Sequence, residues 1–115
     1  MLLIKNITAD TKQRQGLVLP DGSFVQITLY FIPMQLGWFI TQLTYGDFVL
    51  NGLRITNSPN MLYQFKNQIP FGIACFSKDN REPSLLEDFS SGASQLYILT
   101  EEEVDVYARF LSGQA

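Results

Sequence analysis

Acidic side chains are the residues best placed for chemistry here. Glu101, Glu102, Glu103 and Asp105 fall within five positions, and Glu87 and Asp88 are adjacent. Paired carboxylates could serve as general acid and base, or with loop spacing they could hold a cation. A cation loop repeats its oxygen ligands in the pattern D-x-D-x-D-G. Asp79-Asn80-Arg81-Glu82 lacks that repeat, and Arg81 would repel the ion. The chain has no histidine, so a serine or cysteine nucleophile would need a lysine or carboxylate as its base. No spacing argues for one. Both acidic clusters read better as structure, because negative charge at a helix start complements the helix dipole. The glycines at 46 and 52 serve turns and strands, and no glycine-rich phosphate loop occurs. The sequence therefore predicts no catalytic residues, no metal site and no cofactor.

Cys75 is the single cysteine and lies in the apolar run Phe71-Gly72-Ile73-Ala74-Cys75-Phe76. An internal disulfide is impossible, and a buried, inert thiol is expected. The compartment stays open on this evidence. The opening Met1-Leu2-Leu3-Ile4 is too short in its apolar part for a signal peptide. No apolar run approaches the roughly 20 residues that span a bilayer. The expectation is a soluble chain made inside a cell, with no membrane contact.

The 115 residues suit one domain, 1–115. They divide into a β core over about 15–100 and a helical tail over about 101–115. Charged residues make up 17% of the chain, below the roughly 25% of an average domain. Aromatic residues are abundant at 13%. Such a surface favours cover by other molecules. Charge is unevenly placed. Residues 1–78 hold six basic side chains against three acids, a net of +3, while residues 79–115 hold two against eight, a net of −6. Oppositely charged ends could meet head to tail in copies of the chain. Neither half has the basic density of a nucleic-acid binder. Tyr30, Tyr45, Tyr63 and Lys66 could stack bases on a small barrel, yet the acidic pI near 4.7 weighs against specific nucleic-acid binding.

Val25, Ile27, Leu29 and Phe31 alternate with Gln26, Thr28 and Tyr30, the period of a half-buried strand. Residues 2–8 could form a short first strand, and the polar 9–16 read as a loop. Pro20-Asp21-Gly22-Ser23 reads as a turn. Trp38 to Thr44 alternates again, with Phe39, Thr41 and Leu43 on one face and Trp38 and Ile40 on the other. Tyr45-Gly46-Asp47 reads as a hairpin turn into a returning strand over 48–55, which Gly52 interrupts. Ser58-Pro59 carries the signature of a helix start, so a short helix is expected near 59–65. Further strands are expected at 69–76 and 95–99. Thr100-Glu101-Glu102-Glu103 is a capping box ahead of a helix over about 101–111, with Val104, Tyr107, Ala108 and Leu111 as its apolar stripe and Gly113 as its stop. The fold expected is mainly β, a small antiparallel sandwich or partly closed barrel of about six strands.

The order of these motifs carries a resemblance. A strand headed by Trp38, then "YGD", "NGLRI", Asn60-Met61-Leu62, "IPFGI", "FSSG" and "LYIL" before acids resembles the baseplate plug proteins of contractile-tailed bacteriophages, the cyanophage type. It covers about residues 15–103. The matching positions are Trp38, Tyr45, Gly46, Asp47, Gly52, Leu53, Asn60, Leu62, Pro70, Phe71, Gly72, Phe89, Gly92 and Leu96. They have the character of turn and core positions, and the stretch after Glu103 extends beyond the family's pattern. The resemblance implies a structural virion component, not an enzyme, in a ring of copies at the tail tip. There it would join the tail tube to the hub and spike and help close the lumen before contraction. The loop 77–93, with Leu85, Leu86 and Phe89, and the acids Glu101, Glu102 and Glu103 are the expected intersubunit surface.

Overall fold

The alternating stretch at Val25–Phe31 becomes the inner face of β3 (Phe24–Ile32) in a computed structural model that describes residues 2–111. Gly113 lies outside the described residues. Five strands form one antiparallel sheet. β2 (Lys12–Val18), β3, β4 (Gly37–Tyr45) and β5 (Phe48–Leu50) are neighbours in that order, and β6 (Leu53–Arg54) also pairs with β4. A second antiparallel sheet orders β1 (Leu2–Leu3), β8 (Ser94–Leu99) and β7 (Gly72–Ser77). The sheets do not close into a barrel, so the sandwich form of the expected fold is the one adopted.

One core fills the space between the sheets. Val25, Ile27, Leu29, Trp38, Ile40 and Leu43 from the large sheet meet Ile73, Cys75, Leu96 and Ile98 from the small one. Each such Leu or Ile contributes about 1.5–3 kcal/mol by leaving water. The outer face of the small sheet is covered in turn by α1 (Glu101–Leu111), where Val104 packs on Ala74 and Leu99. The capping box forms as expected. The Thr100 amide donates to Glu103 Oε1 at 3.0 Å, and the Glu103 amide donates to Thr100 Oγ1 at 3.3 Å.

Four expectations need correction. The polar stretch 9–16 is largely strand, since β2 begins at Lys12 and pairs with β3 as far as Val18. It lies at the sheet edge, and its inward positions are glutamines. Its Gln13 and Gln15 turn back to bond the Asn6, Thr8 and Asp10 carbonyls instead of entering the core. The first strand shrinks to Leu2–Leu3, and Asn6 at φ +67 breaks it. In β4, Leu29 pairs with Ile40 but Thr28 pairs with Gln42, so Thr41 is an extra, bulged residue. The bulge resets the alternation. Leu43 therefore joins Trp38 and Ile40 in the core, while Phe39, Gln42 and Thr44 face outward.

The helix expected near 59–65 reduces to a single 3-10 turn, Tyr63–Phe65. Ser58 instead bridges to Cys75, and the Met61 amide donates to the Ile73 carbonyl at 2.7 Å. The backbone here serves as a short fringe on β7, which overrides the local helix signal. Asn60 is its anchor. Its Oδ1 accepts from the amides of Leu62 at 2.9 Å and Ile73 at 3.3 Å. Asn60 is buried hard against Gly72, where an added Cβ would lie 2.5 Å from Oδ1. Glycine is needed for this close approach. Gly72→Ala should push Asn60 off both amides and cost about 1–3 kcal/mol, read as a lower urea midpoint with an unchanged slope. An unchanged midpoint would contradict the packing.

Candidate protein interface

The loop from Ser77 to Ala93 is organised by one buried carboxylate. Asp88 is 2% exposed. Its Oδ2 accepts from the amides of Ser84 at 2.8 Å and Leu85 at 2.9 Å, and from Arg81 Nη1 at 3.2 Å. Arg81 Nη2 donates to Oδ1 at 2.8 Å, and the Ser94 amide donates to the Asp88 carbonyl at 2.9 Å. From the large sheet, Trp38 Nε1 donates to the Leu85 carbonyl at 3.1 Å. Phe89 meets the Trp38 ring edge-on at 5.6 Å between centroids. The loop is thus folded into the body.

This revises which loop residues can face a neighbour. Phe89 belongs to the core, and Leu86 is half-buried against it. Leu85 remains exposed. Glu101 and Glu102 are exposed on the first turn of α1, whereas Glu103 is turned back into the capping box. Arg81 and Asp88 were missed because the pair Glu87-Asp88 reads as surface charge. The one hint was an acid set among Leu85, Leu86 and Phe89.

The outer face of the large sheet carries a row across four strands. Lys12 pairs with Tyr30, Tyr30 with Phe39 and Phe39 with Arg54. Lys12 Nζ stands 5.4 Å from the Tyr30 ring centre and the Arg54 guanidinium 5.3 Å from that of Phe39, an attraction of about 0.5–1 kcal/mol at exposed sites. Arg14 lies on the same face, and the five strands contain no acidic residue. On the far side of the small sheet, α1 carries Glu101, Glu102, Glu103 and Asp105 against Arg109. Lys66 lines a shallow hollow with Glu101 and Asp105. The outer face of the large sheet is thus basic, and α1 on the other side is mainly acidic with Lys66 beside it.

Between α1 and the small sheet runs an apolar groove of about 600 Å³. Phe76, Leu99, Val106, Tyr107 and Phe110 line it, with Glu102 and Glu103 among the same residues. Phe110 is 70% exposed and Val106 53%. The tyrosines considered for base stacking lie on three separate surfaces. Tyr30 is under Lys12, Tyr45 packs on Phe71, and Tyr63 packs on Tyr107 of α1.

Cys75 is buried, and burial, helped by the charge of Glu82, pushes its thiol up to about 12. Among the described residues no group of three acidic or cysteine side chains could hold a metal ion, and no described helix is long and apolar enough to cross a membrane. No protein-family model matches the sequence, and no curated protein matches it.

Burial alone would push the Asp88 carboxyl up, but the Arg81 guanidinium and the Leu85 and Ser84 amides outweigh it and hold the group below the usual carboxylate range. A depressed folded value adds stability that is complete above the unfolded value, near pH 4, and is lost as pH falls through the folded one. Asp88→Asn should cost about 2–3 kcal/mol at pH 7. It should also flatten the loss of stability below about pH 4, measured by urea unfolding at a series of pH values. An acid limb as steep as in the wild type would contradict this assignment.

Proposed function

We propose that this chain is a structural component of a contractile phage tail, a plug at the tail tip that joins the tube to the hub and spike. It acts in the virion as a ring of copies and helps close the lumen before contraction. The observation that best supports this reading is the open groove beside α1, where Val106 and Phe110 stand in water next to the exposed Glu102. A face of this kind suits a protein neighbour. The motif order that resembles the plug family is the second support. Its positions mark the Gly46-Asp47 turn, the Gly52 break at φ +76, the Asn60–Gly72 contact, and the buried Trp38, Phe71, Phe89 and Leu96. These are the points where the backbone turns or packs closely.

A binding module for single strands or peptides draws less support. The sheets stay open, and the candidate stacking tyrosines share no groove. The test is co-purification of a tagged chain with tube, hub and spike proteins. Glu101→Lys with Glu102→Lys should reduce recovery about tenfold, roughly 1.4 kcal/mol of contact, while thermal unfolding stays unchanged. Glu103 is left intact because its reversal would also break the helix cap. Wild-type chain recovered without any tail protein would remove the tail-tip reading. Equal recovery of the double variant would move the contact off α1.

A further inference from the structure

The turn between β3 and β4 holds apolar side chains out in water. Pro33–Gln35 form one 3-10 turn, closed by the Leu36 amide on the Pro33 carbonyl at 3.1 Å. Leu36 itself sits at φ +47, a left-handed conformation that bulky residues rarely adopt. Arg54 Nη2 donates to the carbonyls of Gln35 at 3.2 Å and Leu36 at 3.3 Å. Its guanidinium lies on Gly37, where a Cβ would come within 2.6 Å. The result is a clamped tip on which Met34 is 97% exposed and Leu36 61%. A slack loop could fold these side chains inward, and this one is held open. Strain kept in place by its surroundings marks functional segments.

We propose that this tip is one half of a head-to-tail contact between two copies of the chain, and that the α1 groove of the next copy is the other half. The chemistry matches on both counts. Methionine fills irregular apolar space well, and the groove is apolar, open and about 600 Å³. The tip is clamped by Arg54 and backed by a sheet face with Lys12 and Arg14, while Glu102 stands at the groove. In one chain the two halves are separated by the small sheet, because the tip extends the large sheet and α1 covers the small sheet's other face. They meet only between copies. Unlike patches in contact give a heterologous interface, which builds rings or filaments.

Closure into a ring rests on the tail-tip reading, but the pairwise contact does not, so the purified chain tests it separately. Sedimentation of the wild type should show a mass rising above 13.1 kDa with concentration. Met34→Asp and Phe110→Asp, both at exposed positions, should each keep native circular dichroism and stay monomeric. Mixed in equal amounts they should form a species of twice the monomer mass and nothing larger, because one variant keeps the groove and the other the tip. A wild type that stays monomeric to about 1 mM overturns the contact. So does a Met34→Asp chain that associates like the wild type, or a mixture that remains monomeric. Wild-type chain that binds lipid vesicles through Met34 while monomeric would assign the tip to a membrane and overturn it too.

Discussion

The packing around Trp38 is the constraint on which the rest depends. The side chain is completely buried on β4, with Phe31 at 5.5 Å and Phe89 at 5.6 Å between ring centres. Its indole N–H reaches the Leu85 carbonyl, 47 positions along the chain. One residue thus ties the large sheet to the long connection between β7 and β8. Ring pairs of this geometry are worth about 0.5–1.5 kcal/mol each beyond their burial. The hydrogen bond matters as much, because a buried indole N–H without a partner would be costly. The connection becomes part of the core, and Leu85 is the large apolar side chain it leaves exposed.

The same device recurs in three irregular connections. Asp88 gathers the Ser84 and Leu85 amides, Asn60 gathers those of Leu62 and Ile73, and Arg54 gathers the Gln35 and Leu36 carbonyls. In every case one polar side chain replaces regular secondary structure as the partner of two backbone groups. Loops fixed this way lose little entropy when a partner binds, which favours association through preorganised surfaces. A part that must repeat its contacts in a ring benefits from that stiffness.

Much of the scaffold was legible in the sequence where one physical rule acted alone. β3 follows from strict alternation, the Gly46-Asp47 hairpin from glycine at a turn position of positive φ, and the start of α1 from Thr100 and Glu103. The misses came where a distant partner overrode a local signal. β2 is polar on both faces from Lys12 to Gln15, with Leu17 alone packed on the core, so only its register with β3 reveals its start. The Thr41 bulge moved Leu43 to the core face, which no alternation could announce. Ser58-Pro59 read as a helix start, yet pairing with Cys75 took the backbone first. At the candidate interface, Glu101 and Glu102 read as exposed charge, but Val106 and Phe110 fall outside the helical stripe of Val104, Tyr107, Ala108 and Leu111. Of that stripe, Leu111 is itself 49% exposed.

The central claim is that side chains anchored in the core hold irregular connections as rigidly as strands, so that exposed surfaces keep one shape. Native-state amide hydrogen exchange on the isolated chain tests it most directly. The account predicts strong protection at Ser84, Leu85 and Asp88, and at Leu62 and Ile73, comparable to that of β3 and β4. Exchange of the 84–88 amides at the rate of an unstructured loop, with the strands still protected, would contradict it.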